Sequence, residues 1–445
     1  MVEINSHFTI GKLFKAAIPT VIMMIFTSIY GVVDGLFISN VEGDTAFSGI
    51  NLILPYVMIF GVFGFMIGAG GSALVSKTYG EGDEKRGNRY FTMLMIVLLF
   101  LGIAGTIIGY FTVKPVARLL GANEQMLPYC EIYGSTLMLF ITFFMFQNSF
   151  QSFMVVARKP MLGFAFTVCA GLTNTLGDFL LIYVFKFGVR GAAIASGLSQ
   201  IVGATLPLIY LILFKNKTPL HFEKTKLEIK PILSSMSNGL SEMISNVSMS
   251  LVNMLFNAQL MKYIGQNGVT AFGIIMYAGF IFTGVYFGYA MGVSSIIAYQ
   301  YGAKNTKELS SLLKKCLITY GFLAIILSTL AISIAGPLAH IFVRNNQELY
   351  ELSKMAIRFY CISYYIAGFN IFFSSFFTDL NDGLISGVIS FARTCFFQVI
   401  AILVFPLIFG SNGLWFAVLF AECCSLVVSL VFLFTKDKKY HYFKG

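Results

Sequence analysis

The sequence predicts an all-α membrane protein: twelve transmembrane helices in two six-helix lobes related by a parallel internal repeat. Three observations carry this. The 445 residues are 57% hydrophobic and only 11% charged, with a mean hydropathy of +0.80, outside the range of water-soluble domains. Apolar runs of about 20 residues recur along the whole chain, each long enough to cross a hydrocarbon core of roughly 30 Å as a helix. The second half of the chain also repeats motifs of the first. The short alternating segments of a β-barrel do not occur.

Taken in order, the first span covers 19–40. Only 18 residues precede Pro19 and no small-residue cleavage site follows, so the run reads as a retained span rather than a signal peptide. Spans 50–76 and 90–112 flank the charged turn around Tyr79-Gly80, and spans 129–155 and 161–185 flank Arg158 and Lys159. The sixth span, 191–214, ends at the basic stretch from Lys215 to Lys230, which contains Pro219 and Pro231 and reads as a linker. Spans 238–263, 270–298, 317–338, 356–378, 384–409 and 413–434 complete the second half. The expected lobes are therefore 1–225 and 226–445.

A net charge of +10 raises the question of nucleic acid, but the basic residues sit in short segments between apolar runs and act as topology signals. No nucleic-acid partner is expected. With the N-terminus in the cytoplasm, the loops on that side carry 21 Lys/Arg against 8 on the other, which sets both termini inside the cytoplasmic membrane. The seven cysteines form no C-x-x-C pair and fall within or beside spans, so neither a disulfide framework nor a thiolate metal site is expected.

The repeat is specific. FGFMIGAGGSALVSKTYGEGD, ending at Asp83, matches YFGYAMGVSSIIAYQYGAKN, ending at Asn305, with Tyr79-Gly80 falling on Tyr301-Gly302 at an offset of 222. Thr45-Ala46-Phe47 returns as Thr270-Ala271-Phe272, Pro115 as Pro337, and FQSFMVVARKP from 150 as FSSFFTDLNDG from 373. Two six-span halves in the same orientation are an architecture of secondary transporters, whose site lies between the halves near the midplane. No loop can hold a nucleotide-binding domain and no G-x-x-x-x-G-K-[ST] occurs, so any pumping must run on an ion gradient. One charge moving through ~150 mV supplies about 3.5 kcal/mol, enough for roughly 300-fold accumulation.

Burying an ionised carboxylate in a bilayer costs about 2.5–3.5 kcal/mol on insertion scales. Of 20 acidic residues, only Asp34, Asp178, Glu242 and Glu422 lie inside predicted spans rather than at their ends. In the repeat register Asp34 falls opposite Asn253, Asp178 opposite Ala401 and Glu242 opposite Met23, so the scaffold recurs without these acids. Asn174 and Asp178 share one helical face at i, i+4, with Gly177 allowing close backbone approach. An amide oxygen beside a carboxylate suits Na⁺, and a desolvated carboxylate suits H⁺. Glu242 lies in Asn-Gly-Leu-Ser-Glu at the start of span 7, where it can cap the helix or meet a ligand. Glu422 reads as structural, Arg393 as a packing cation, and Asp379 and Asp382 as a solvated turn. Gly284, Gly288 and Gly292 read as a close-packing face.

The paired Tyr-Gly ends of spans 2 and 8, Asn174-Thr-Leu-Gly-Asp178, Phe187-Gly-Val-Arg-Gly-Ala-Ala-Ile-Ala-Ser196 and Gly410-Ser-Asn-Gly-Leu-Trp415 resemble the multidrug and toxic compound extrusion (MATE) family. The likeness covers essentially the whole chain, and an Asp in span 1 with Asn-x-x-x-Asp in span 5 is similar to its DinF-type branch. The resemblance implies an antiporter that exports amphipathic, often cationic, small molecules in exchange for H⁺ or Na⁺, acting as a monomer in the bilayer with no cofactor beyond the coupling ion. It implies a coupling cluster of Asp34, Asn174 and Asp178, a candidate Na⁺ site, with Ser196 where that branch often has Thr. Glu242 and Asn253 are the candidate second-lobe or substrate residues, and Pro19 is a candidate bend in span 1. The alternative is a flippase for lipid-linked saccharides, which should line its cavity with Lys/Arg. An enzyme is not expected, because no clustered His/Asp or Ser/Lys set occurs.

The charge bias makes a topological prediction. In a cysteine-free background, single cysteines at Lys85 and Lys224 should resist an impermeant reagent applied to intact cells, and those at Lys114 and Arg344 should react. Labelling of the first pair from outside would reverse the orientation.

Overall fold

A computed structural model describes residues 7–342 and 346–443, without the side chains of 30–45, 47, 48, 277, 341 and 342. Twelve spans follow one another: α1 (Ile10–Ile29), α2 (Gly49–Gly80), α3 (Glu84–Leu119), α4 (Leu127–Val156), α5 (Pro160–Val184), α6 (Gly188–Leu213), α7 (Leu240–Tyr263), α8 (Gln266–Gly302), α9 (Thr306–Ser333), α10 (Gln347–Cys361 with Tyr364–Asp379), α11 (from Gly383 through Phe409) and α12 (Gly413–Tyr440). Asp34 and Arg344 fall outside the described side chains, and those of the first span are described only to residue 29.

Length and apolarity alone pick out nine of the described helices, or ten with the bent pair counted as one. The shortfall has physical causes. Gly410 turns the chain between α11 and α12 at φ +65°, within a stretch that is otherwise continuously apolar and helical. α10 bends by 44° between its two pieces. α7 is more polar because Glu242, Ser245, Asn246, Met249 and Asn253, spaced along one helical face, line a central cavity. α5 and α11 each carry one π-helical stretch, Phe179–Val184 and Ala392–Phe396.

The halves exchange their leading helices. Ala17 and Val21 of α1 pack on α8, where a Cβ added at Gly292 would stand 2.5 Å from the Ala17 Cα and one at Gly288 2.5 Å from the Val21 Cα. Phe8, Leu13 and Ala17 are buried in the second half's core, and Phe14 meets Tyr289 at 5.8 Å between ring centres. In return, the segment leading into α7 packs on α2. A Cβ at Gly70 would lie 2.0 Å from the Ser235 carbonyl oxygen and 2.5 Å from the Gly239 nitrogen. The glycine face read from sequence on span 8 is thus a true helix–helix contact.

These reciprocal contacts correct the register of spans 1 and 7. They match Ala17 with Gly239 and Gly292 with Gly70, the same 222-residue offset that joins the Tyr-Gly motifs. Glu242 therefore corresponds to Thr20 rather than Met23, and Asp34 to Phe256 rather than Asn253. Neither counterpart is acidic, so the argument from the repeat is unchanged.

The chain's start is tied to the second half. The Phe8 N–H donates to Glu308 Oε1 at 2.9 Å, the His7 ring nitrogen lies 2.7 Å from Glu308 Oε2, and Lys315 donates to the Phe8 carbonyl. The Tyr-Gly motifs meet each other at the same end of the bundle. A Cβ at Gly80 would come within 2.0 Å of the Tyr299 carbonyl oxygen, and one at Gly302 within 1.9 Å of the Lys77 carbonyl oxygen. Only glycine permits this crossing of α2 and α8.

Gly302→Ala should therefore force two backbones apart and lower stability by about 1–3 kcal/mol. Gly273→Ala, on the same helix with nothing within 4 Å, should be neutral or stabilising by up to about 1 kcal/mol. Thermal unfolding of the two purified variants in one detergent checks the contrast, and equal midpoints would remove the crossing from the stability argument.

Candidate functional site

A cavity of about 380 Å³ lies between the halves. The first half contributes mostly small and amide side chains, including Ser72, Asn148, Gln151 and Ser152. The second half contributes the charges: Glu242 from α7, Asp379 from α10, Arg393 from α11 and Glu422 from α12, with Asn246 and Asn253 on α7. Met24, Phe65, Met249, Met276, Phe280 and Met291 supply the apolar surface. Flexible thioethers and aromatic rings can repack around ligands of different shape.

Glu242 occupies the first turn of α7, behind the Gly239 N-cap, and its carboxylate borders the cavity. It makes no side-chain cap hydrogen bond, so of the two roles read from sequence the structure shows its place at the cavity. Asn253 stands three turns further along the same wall.

Asp379 departs from the sequence reading. It was expected in a solvated turn, because hydropathy ends the tenth span at residue 378; instead it is 1% exposed. Ser294 Oγ of α8 donates to it at 2.5 Å. Burial follows because the turn tucks under α7: a Cβ at Gly383 would stand 2.1 Å from the Ser237 carbonyl oxygen. Asp382 is also a structural partner rather than a solvated one. It accepts from the Tyr440 hydroxyl and from Lys439 Nζ at 3.2 Å, fastening the turn to the end of α12. The missed signal was FSSFFTDLNDG itself, whose Asp379 has no acidic counterpart in FQSFMVVARKP.

Glu422 is buried and anchored. Asn370 Nδ2 donates to its Oε2 at 2.7 Å and to its backbone oxygen at 2.9 Å, and Ser429 Oγ donates to the Asn370 Oδ1 at 3.2 Å. Arg393 Nη1 lies 3.5 Å from Glu422 Oε1. The structural reading of Glu422 and the packing reading of Arg393 therefore describe only one side of residues that also face the cavity.

In the first half, Asp178 and Asn174 are both buried on α5. Asn174 Nδ2 donates to Ser196 Oγ of α6 at 3.3 Å. The close approach expected at Gly177 is present, since a Cβ there would meet the Ala195 Cβ at 2.8 Å. Asp178 sits where α5 passes from α- to π-helical geometry, a helical irregularity that recurs at functional sites. None of these three lines the central cavity. Pro19 lies in α1 between the residues that meet Gly292 and Gly288.

Two like-oriented six-helix lobes around a polar cavity within twelve spans define a membrane transport protein. The chain belongs to the MatE family, whose model matches residues 19–180 and again residues 242–404. It is 20% identical over 441 residues to the multidrug export protein MepA of Staphylococcus aureus strain MSSA476, covering 97% of this chain and 96% of the relative. A crystal structure of a MATE protein in complex with MaL6 superposes with a TM-score of 0.91 at 21% identity, covering 99% and 98% of the two chains. A multidrug-resistance MATE transporter of the MOP superfamily in an outward-facing conformation gives a TM-score of 0.90 at 21% identity, with the same coverage. At these identities the structural likeness speaks to fold.

Proposed function

We propose that the protein is a secondary antiporter of the cytoplasmic membrane, with both termini inside, that exports amphipathic and often cationic small molecules in exchange for H⁺ or Na⁺. The observation that carries this reading is the composition of the cavity wall, where three carboxylates face one guanidinium among Met and Phe side chains. A cavity of about 380 Å³ is within the usual range of roughly 300–1,000 Å³ for small-molecule sites. The likeness to MepA supports the same class of activity. A flippase for lipid-linked saccharides would need several cations for a pyrophosphate, and Arg393 is the single Lys or Arg on this wall among the described residues. The lobes divide at about residue 225, in the linker.

In this reading coupling and cargo use different halves. Asp34 and Asp178, with Asn174 and Ser196, form the coupling unit of the first lobe, similar to the DinF-type branch, and take up a proton or Na⁺. Glu242 and Asn253 act on cargo. The missing backbone hydrogen bond at Pro19, set among the α1–α8 contacts, gives α1 a place to bend as the first-lobe site changes occupancy.

Asp34→Asn and Asp178→Asn should each abolish gradient-driven efflux of a cationic dye from proteoliposomes while leaving expression and dye binding intact. The double variant should be no worse than either, since two carboxylates serving one ion act as a unit. Full pH- or sodium-driven transport in either single variant, or losses that simply add, would remove the pair from coupling.

Glu242→Gln should change selectivity instead, weakening cationic compounds by about tenfold relative to neutral ones, as expected when a charge-assisted contact is lost. A panel of matched cationic and neutral substrates measures this. Equal loss of both would assign Glu242 to the scaffold.

A further inference from the structure

Arg393 is loosely held in the cavity wall. Its side chain is 11% exposed, and its Nε is buried without a hydrogen-bond partner. Its ion pair with Glu422 is 3.5 Å long, against about 2.7–2.9 Å for a well-formed charge-assisted bond. Glu422 turns only its Oε1 toward it, because Asn370, itself held by Ser429, takes Oε2. A guanidinium offers five donors in a planar fork, and among the described residues only its Nη1 meets an acceptor, Glu422 Oε1.

The scaffold gives no reason for the charge. In the register that sets Asp178 opposite Ala401, Arg393 falls opposite Ala170, so the equivalent helix of the first half is built with a methyl group there. An arginine within a bilayer is costly, and a buried ion pair is often replaceable by apolar packing with no loss of stability. The residue sits on the π-helical stretch Ala392–Phe396 of α11, bordering the cavity. Irregular turns of this kind recur where a side chain must be aimed at a ligand.

We infer that Arg393 forms an acceptor subsite of the central cavity, which takes a carboxylate or other anionic oxygen group of a bound compound through its unpaired donors. Glu422 then serves as a fixed counter-charge that keeps the empty cavity tolerable. With Glu242 on the facing α7, the cavity has one arm for a cation and one for an anion. It suits compounds that carry both groups, beyond those that are only cationic. This rests on the export reading and narrows its cargo.

The test uses one chromophore in two charge states: rhodamine B, which carries a free carboxylate, and its ethyl ester, which is a pure cation. Both are titrated by fluorescence anisotropy against the purified full-length protein in detergent. Arg393→Gln should weaken the carboxylate dye by about tenfold and leave the ester within about twofold, the size expected for losing a charge-assisted bond. Arg393→Lys, which keeps the charge but not the fork, should show the same selective loss to a smaller degree, and it decides the matter if the glutamine variant does not fold. Phosphatidylglycerol doped into the micelles separates a lipid phosphate from a dissolved compound. If it displaces the carboxylate dye from the unaltered protein but not from Arg393→Gln, the subsite holds headgroups. Equal shifts for the two dyes, or none for either, would make Arg393 a structural brace and overturn the subsite while leaving export standing. Failure of the unaltered protein to bind either dye would overturn both.

Discussion

The structure depends on the exchange of leading helices between its halves. α1 lies on the glycine face of α8, and the entry to α7 lies on the glycine face of α2, at distances that leave no room for a Cβ. In a bilayer no hydrophobic force pushes one apolar helix against another, so close backbone packing must do that work. Each half thereby holds the first helix of the other, and the two cannot separate as independent six-helix bodies. The space left between them is the cavity.

That arrangement explains the uneven chemistry of the walls. The helices serving both halves, α1, α2, α7 and α8, must present glycine and small residues where they cross, so charged groups are carried at other positions along them or by α10, α11 and α12. Glu242 follows immediately after the Gly239 contact, in the first turn where a helix N-terminus favours a negative charge. Asp379 is pressed into the cavity by the packing of the α10–α11 turn beneath α7. Arg393 and Glu422 face each other from adjacent helices, with Asn370 as the third member. The first half carries its buried acid, Asp178, away from this wall and beside Asn174. Two polar centres thus sit in different lobes.

Much of this was legible in the sequence. The helical class, the six-plus-six repeat and the close-packing face at Gly284, Gly288 and Gly292 follow from residue type and spacing, and the family resemblance placed Ser196 with Asn174. Asp379 was missed because hydropathy sees a charged residue at a span end as solvated and cannot register a turn folded back against another helix. The register of spans 1 and 7 was misread for a related reason. Those helices share few residues in common, and their correspondence is fixed by what they touch.

The sequence by itself determined that the chain must cross a bilayer as helices, because an apolar chain with so few charges can satisfy its backbone there only internally. It also marked Asp34, Asp178, Glu242 and Glu422 as acids placed within apolar runs, where each carries a solvation penalty. Only the tertiary structure decided which of these charges share a space. Asp379, Arg393 and Glu422 come from three spans and Glu242 from a fourth. Their meeting depends on helix exchange through glycine contacts between residues some 222 positions apart, a geometry that no local pattern encodes.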